Sequence, residues 1–142
     1  MEIPLVSHIG IAVKDFEKAL KRYALISSDN NPIIHDVADQ KVKAAIFKGG
    51  CCGGGARVEL VTPTTDDSPI AKFLEKNGEG LHHICIYVVD IEEKLAELKA
   101  EGVRLIDEVP RIGAEGNKIA FVHPKDMNGV LVELEEFPKP TL

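Results

Sequence analysis

Two histidines and two glutamates stand at matching places in two copies of one sequence pattern. The segment Ser-His-Ile-Gly-Ile-Ala-Val around His8 recurs around His83 as His-His-Ile-Cys-Ile-Tyr-Val. Further along each copy, Arg-Val-Glu-Leu around Glu59 recurs as Leu-Val-Glu-Leu around Glu133. Imidazole nitrogens and carboxylate oxygens are ligands for divalent ions such as Zn, Co, Mn and Ni. The repeat therefore predicts one metal centre that takes one His and one Glu from each copy.

The four candidate ligands lie opposite the apolar side of their predicted strands. Isoleucines alternate with the position of His8, and Val58 and Leu60 flank Glu59; the second copy repeats both patterns. Alternate side chains of a strand share a face, so a curved sheet with helices on its convex side would collect the four ligands in a concave cleft. Two carboxylates buried together are costly without a cation, and a bound metal removes that cost.

The other histidines and the paired cysteines are not expected to bind metal. A single His on a strand is most often structural, and His82 points to the apolar face. His123 precedes a proline at a strand end, where we also expect a structural role. Cys51 and Cys52 are adjacent in a Gly-rich run. Paired soft ligands usually have a spacer between them, so metal binding is not expected there.

Hydrophobic periodicity and helix caps predict an α+β fold made of two tandem βαβββ modules that form a curved mixed sheet. The modules span about 4–66 and 81–137, and a short helix near 68–77 joins them within one domain, 1–142. Helices are predicted to begin after the N-caps Asp15, Ser68 and Asp90. Strands are predicted at 5–14, 33–37, 42–47, 57–62, 82–89, 103–109, 118–123 and 130–136.

Composition excludes several classes of function. The 142 residues carry a net charge of −6, which argues against nucleic-acid binding by phosphate neutralisation. No apolar run is long enough to span a membrane, and we see no signal peptide. Three cysteines, two of them adjacent, do not form an even disulfide framework. We therefore expect a cytoplasmic protein in a reducing environment.

Longer motifs point to a known family. The doubled βαβββ plan with a His-Glu-His-Glu set resembles the vicinal oxygen chelate superfamily, which includes glyoxalase I and the extradiol dioxygenases. Within it, the chain is most similar to the methylmalonyl-CoA epimerases. A Ser-Pro-Ile-Ala-x-Phe-Leu helix followed by Gly-Leu-His-His-Ile is the most specific part of this resemblance. The segments that carry it are 7–13, 67–76, 80–86, 102–108, 121–125 and 129–134.

The resemblance implies a metal-dependent epimerase acting on (2R)- and (2S)-methylmalonyl-CoA. His8, His83 and Glu133 would hold the metal with Glu59 as a fourth ligand. Cobalt is the expected ion, with zinc, manganese, nickel or magnesium as alternatives. Proton removal at C2 would give an enolate whose charge the metal stabilises.

Inversion at C2 requires an acid/base group on each face of the carbon. We assign Glu133 to one face and Asp39 to the other, with Glu59 as a substitute. Asp39 stands where the family has a glutamate, in Asp-Gln-Lys-Val in place of Glu-Gln-Gly-Val, and is one methylene shorter. The resemblance also implies an acyl-CoA substrate and a homodimer.

Two other functions of the same architecture stay open at this point. One is a glyoxalase I-like lyase that acts on a glutathione hemithioacetal with the same metal set. The other is a non-catalytic module that binds a small molecule in the cleft. Turnover of methylglyoxal with glutathione would favour the lyase.

Overall fold

The computed structural model describes residues 3–48 and 55–139 and divides into two compact units. One unit comprises residues 8–82, and the other comprises residues 1–7 together with 83–142. Cys51 and Cys52, for which no metal role is predicted, lie outside the described residues.

In the described part of the 8–82 unit, neighbouring strands pair in the order β2-β3-β4-β1. β2 pairs antiparallel with β3, β3 pairs antiparallel with β4, and β4 pairs parallel with β1. The first module therefore has the predicted β-α-β-β-β order, followed by the predicted short helix. Its elements are β1 (Val6–Ala12), α1 (Phe16–Ser27), β2 (Ile33–Val37), β3 (Val42–Phe47), β4 (Arg57–Pro63) and α2 (Pro69–Asn77).

The two helices of this unit begin at the predicted caps and pack on opposite faces of its strands. The Asp15 carboxylate accepts the N–H of Lys18 at 3.1 Å, and the Ser68 hydroxyl accepts the N–H of Ile70 at 3.2 Å. α1 buries the face that carries Val13, Phe47 and Leu60, as the alternation predicts. α2 covers the opposite face, where its buried residues contact the following side chains: Ala12, Val42, Ala44 and Val61.

The second unit repeats this arrangement with the strand order β5-β8-β7-β6. β5 and β8 are parallel, whereas β7 pairs antiparallel with both β8 and β6. α3 is capped by Asp90, whose carboxylate accepts the N–H of Glu93 at 3.0 Å. The elements are β5 (Gly80–Val88), α3 (Ile91–Ala100), β6 (Arg111–Ile112), β7 (Lys118–Val122) and β8 (Val132–Glu136).

The core of this unit lies between α3 and one face of its strands. Ile91 and Leu95 of α3 are buried against alternate residues of three strands. Those strand residues are Val88, Ala120, Val122, Val132 and Leu134. Because side chains alternate along a strand, His83 and Glu133 project from the other face. The predicted separation of apolar and ligand faces is confirmed here.

The predicted strand at 103–109 is wrong. This segment has one isolated bridge, between Leu105 and Val122, and the short β6 follows at Arg111 instead. Carboxylate side chains accept hydrogen bonds from backbone N–H groups that could otherwise pair with a neighbouring strand. The Asp126 carboxylate accepts the N–H of Arg104 at 2.7 Å, and the Asp107 carboxylate accepts the N–H of Phe121 at 2.8 Å. Short acidic side chains compete with strand pairing in this way. The alternation of apolar residues in the sequence does not predict this competition.

The sequence repeat is also a repeat of strand register. Gly10 lies opposite Glu59 in the β1–β4 pair, and Cys85 lies opposite Glu133 in the β5–β8 pair. In both pairs the strands are parallel, and the histidine stands two residues before the partner of the glutamate. The two copies thus place His and Glu side chains by the same local construction.

Candidate metal centre

His8 and Glu59 form a buried pair on neighbouring strands. The parallel register of β1 and β4 brings His8 Nε2 to 3.5 Å from Glu59 Oε1. Their side chains are 6% and 10% exposed, although both residue types normally prefer water. Gly10 lies opposite Glu59 and has no side chain, which leaves room for the carboxylate beside the histidine. The sequence predicts these two residues as members of one four-ligand set, and their metal-binding role stays a prediction.

His83 and Glu133 form the equivalent pair in the second unit. His83 Nε2 lies 3.2 Å from Glu133 Oε1, and the two side chains are 5% and 9% exposed. The Phe121 ring meets the imidazole edge-on, with centroids 6.0 Å apart, and Phe121 is the register partner of Glu133 on β7. The aromatic ring therefore limits how the imidazole can turn.

The donor chemistry of both pairs fits a divalent metal. Each pair presents an imidazole nitrogen and a carboxylate oxygen, which are ligands of borderline cations such as Zn²⁺ and Co²⁺. Removing a carboxylate from water is expensive without a cation or hydrogen-bond donors. A bound ion would stabilise both glutamates in their ionised form.

Asp39 lies on a 3₁₀ turn, Ala38–Gln40, that connects β2 to β3. The sequence predicted this connection, and the residue is exposed there. The N–H of Lys41 donates to the Ala38 carbonyl at 3.2 Å and closes the turn. An exposed carboxylate is free of the desolvation that a buried one suffers. Its role as an acid or base stays a prediction.

Sequence reasoning missed a third buried carboxylate, Glu135. It is 3% exposed and lies two residues after Glu133, on the same face of β8. Its Oε1 accepts the Ser7 hydroxyl at 2.7 Å, and its Oε2 accepts the Asn117 amide at 2.8 Å. The rule that placed Glu133 on the ligand face applies equally to Glu135, so the signal was present in the sequence.

The Cys85 thiol belongs to the same network. Its sulfur lies 3.6 Å from Glu135 Oε1. Burial raises the pKa of this thiol well above its ordinary value, and the charges of Glu133 and Glu135 raise it further. The buried thiol is therefore protonated in the metal-free chain and donates to Glu135.

The remaining histidines of this region have structural contacts, as predicted. The His82 ring packs edge-to-face on Phe73 of α2, with centroids 4.8 Å apart. His123 caps the 3₁₀ turn Pro124–Asp126, because its Nδ1 accepts the N–H of Lys125 at 3.1 Å.

The fold agrees with comparison to known proteins. Residues 7–121 match the Glyoxalase/Bleomycin resistance protein/Dioxygenase superfamily, and the chain belongs to it. Individual relatives show which family of that superfamily it belongs to. The mitochondrial methylmalonyl-CoA epimerase of Dictyostelium discoideum is 41% identical over 137 residues, which cover 92% of this chain and 77% of that protein. The chain therefore belongs to the methylmalonyl-CoA epimerase family.

A Bacillus subtilis relative, uncharacterized protein YqjC, is 44% identical over 92% of this chain and 91% of its own length.

Solved structures extend the likeness to three dimensions. A variant of Streptomyces coelicolor methylmalonyl-CoA epimerase in complex with 2-nitronate-propionyl-CoA is 34% identical and has a TM-score of 0.86. The match covers 97% of this chain and 100% of that one. A methylmalonyl-CoA epimerase in complex with methylmalonyl-CoA and NH4+ has a TM-score of 0.85 at 34% identity, over 95% of each chain. These matches confirm the predicted α+β vicinal oxygen chelate fold.

Proposed function

We propose that this chain is a methylmalonyl-CoA epimerase that interconverts the (2R) and (2S) forms of its substrate. The observation that carries the proposal is the pair of buried His–Glu contacts, His8–Glu59 and His83–Glu133, built by the same strand register in each unit. The family relationship supports the choice of substrate, because relatives at 34–41% identity bear that name.

His8, Glu59, His83 and Glu133 would together hold one divalent ion, with cobalt as the first candidate and zinc, manganese, nickel or magnesium as alternatives. When bound, such an ion supplies a Lewis acid for the negative charge that develops on a thioester oxygen as the neighbouring C–H loses its proton. The buried setting of the four side chains strengthens that interaction, because little water competes with it.

Carboxylates of the chain would carry the proton. Epimerisation removes a proton from one face of C2 and returns one to the other, so two acid/base groups are needed. We assign Glu133 to one face and Asp39 to the other, with Glu59 as the substitute for either. Glu133 is buried beside His83, whereas Asp39 is exposed and can exchange its proton with solvent directly. This difference would allow solvent hydrogen to enter mainly through the Asp39 side.

The same proposal includes an acyl-CoA substrate whose carrier arm leaves the site toward solvent. It also includes a homodimer, a cytoplasmic location and a single domain formed by both modules. Within residues 3–48 and 55–139, no helix combines the length and apolar character that crossing a membrane requires.

Deuterium exchange tests the proposed activity. The protein is stripped of metal, reloaded with cobalt and incubated with one epimer of methylmalonyl-CoA in deuterated water. We expect deuterium at C2 together with loss of stereochemical purity, and neither in the stripped protein. A fully loaded protein that exchanges nothing would refute the proposal. Turnover of methylglyoxal with glutathione in place of this exchange would assign the site to lyase chemistry.

A further inference from the structure

Arg111 of β6 lies on the ligand face of the second unit. Its register partner on β7 is Ile119, and Ile119 is in turn the register partner of Glu135 on β8. Side chains of register partners project from the same side of a sheet. Arg111 therefore shares its side with Glu135 and with Glu133, which lies two residues earlier on β8. The guanidinium belongs to the face that carries the proposed metal ligands rather than to the face that packs on α3.

One aromatic ring connects this cation to His83. The guanidinium carbon of Arg111 lies over the Phe121 ring, 5.6 Å from its centroid. The same ring meets the His83 imidazole edge-on, with centroids 6.0 Å apart. A cation over the face of a ring is attracted by its π electrons. Phe121 thus holds a positive charge one ring away from a proposed metal ligand, and the Arg111 side chain is 41% exposed there.

The neighbouring carboxylate orients the guanidinium without binding it closely. Arg111 Nη2 lies 3.8 Å from Asp107 Oδ2, which is longer than a hydrogen bond. The same Asp107 oxygen accepts the N–H of Phe121 at 2.8 Å. A guanidinium carries five N–H donors in a planar fork that matches two oxygens of a phosphate or carboxylate. Arg111 can therefore receive a further anion.

The hairpin that carries Arg111 is closely attached to the sheet. The N–H of Gly113 donates to the Asn117 carbonyl at 2.9 Å, and the Asn117 amide donates to the buried Glu135 at 2.8 Å. A Cβ atom at Gly113 would lie 2.9 Å from the Ile119 side chain, so the backbone comes closer to Ile119 than a larger residue would allow. The fold thus positions Arg111 before a ligand binds, which reduces the entropic cost of binding.

We propose that Arg111 binds a phosphate of the coenzyme A carrier. This inference rests on the proposed epimerase function, which supplies an acyl-CoA as the ligand. The oxygens of the malonyl group would meet the metal ligands, whereas Arg111 lies beyond Phe121 at an exposed edge strand, where the carrier arm would pass. The chain has a net charge of −6 and the carrier is a polyanion, so a local cation is needed to offset their repulsion.

A substrate without phosphates separates phosphate binding from other roles. With cobalt-loaded protein and methylmalonyl-CoA, Arg111→Ala should raise KM at least about 10-fold and change kcat less than about 2-fold, because a lost hydrogen bond to a charged group commonly weakens binding by that factor. With methylmalonyl-pantetheine, which keeps the reacting thioester, the variant and the unsubstituted protein should have equal KM. Arg111→Lys keeps the charge without the planar fork, so its KM for methylmalonyl-CoA should be intermediate.

Arg22→Ala is the matched control. It also removes an exposed guanidinium, but from α1, which packs on the apolar face of the strands in residues 8–82. Its KM for methylmalonyl-CoA should not change. The cobalt content of Arg111→Ala should equal that of the unsubstituted protein. A lower cobalt content, or a lower kcat at unchanged KM, would refute the proposal, because that pattern would mean that Arg111 supports His83 through Phe121.

Calorimetric titration with free coenzyme A measures binding without turnover. The unsubstituted protein should bind coenzyme A at least about 10-fold more tightly than Arg111→Ala does, and the two should bind pantetheine equally. If this difference is found and no epimerisation occurs, the epimerase assignment alone fails. If the protein epimerises and Arg111→Ala has the same KM for methylmalonyl-CoA, the phosphate site alone is refuted. An equal rise in KM for methylmalonyl-pantetheine would also refute it and would assign Arg111 to the carboxylate of the acyl group.

Discussion

Removal of His83 should disrupt the proposed metal centre. Loss of its imidazole removes one ligand and leaves Glu133 buried without its neighbour at 3.2 Å. We expect His83→Ala to bind less than one metal ion per chain. Its rate of deuterium exchange should fall at least about 100-fold, because loss of the metal removes the stabilisation of the developing charge. Metal content by elemental analysis and deuterium exchange by mass spectrometry measure both effects.

The adjacent histidine provides the control for that substitution. His82 contacts Phe73 and points away from the ligand face, so His82→Ala should retain full metal content. Full metal occupancy in His83→Ala would contradict the ligand assignment.

At the scale of single elements, the segment after α3 depends on a charged contact. Arg104 donates to Asp126 through its side chain at 3.0 and 3.1 Å and through its backbone N–H at 2.7 Å. The hydrogen bonds from Arg104 lower the pKa of Asp126 from 3.8 to about 2. A carboxyl group with a depressed folded-state pKa stabilises the fold above its unfolded pKa and loses that contribution as the pH falls toward the folded value.

We therefore expect this contact to lose its contribution to stability as the pH falls from about 4 to about 2. The difference in urea midpoint between the metal-free protein and Asp126→Asn should be constant above pH ~5 and shrink toward pH ~2. Asparagine keeps an acceptor for the Arg104 N–H, so the comparison isolates the charge. A difference that does not change with pH would mean that the carboxylate charge contributes nothing.

The packing of α3 should dominate the stability of its unit. Leu95 is 3% exposed and lies within the core formed with β5, β7 and β8. We expect Leu95→Ala to lower the free energy of unfolding by about 3 kcal/mol, from lost burial and the resulting cavity. Urea unfolding followed by circular dichroism measures this change.

Leu25 of α1 serves as the comparison, because its side chain is 82% exposed. Leu25→Ala should change the free energy of unfolding by no more than about 0.5 kcal/mol. Similar losses in the two variants would contradict the assigned core.

For the whole molecule, metal binding should be linked to folding. The proposed ligands on β1, β4, β5 and β8 are far apart in an unfolded chain, so an ion that requires all four would bind the folded chain selectively. At a free metal concentration 100 times Kd, this selectivity stabilises the folded state by about 2.7 kcal/mol. Calorimetry should therefore show a higher unfolding midpoint with cobalt and a reversal on adding a chelator.

The His83→Ala variant tests whether that stabilisation comes from the proposed centre. Its unfolding midpoint should not respond to cobalt. An equal shift in this variant would locate the stabilising ion elsewhere.

Local features of the sequence were sufficient to predict most elements and to single out the four side chains that form the two buried His–Glu contacts. Asp15, Ser68 and Asp90 cap helices where expected, since capping depends on residues within one turn of the chain. His8, Glu59, His83 and Glu133 were recognised because strand alternation and an internal repeat are periodic signals. Each glutamate proved to lie beside the histidine of its own copy.

Tertiary structure decided the features that depend on distant partners. The segment 103–109 alternates like a strand, yet the distant Asp126 accepts its Arg104 N–H, and its own Asp107 accepts the N–H of Phe121. The burial of Glu135 depends on donors from Ser7 and Asn117, which lie far from it in the sequence. Local sequence encodes periodicity and caps, whereas which polar groups meet across the fold is determined only when the strands have taken their register.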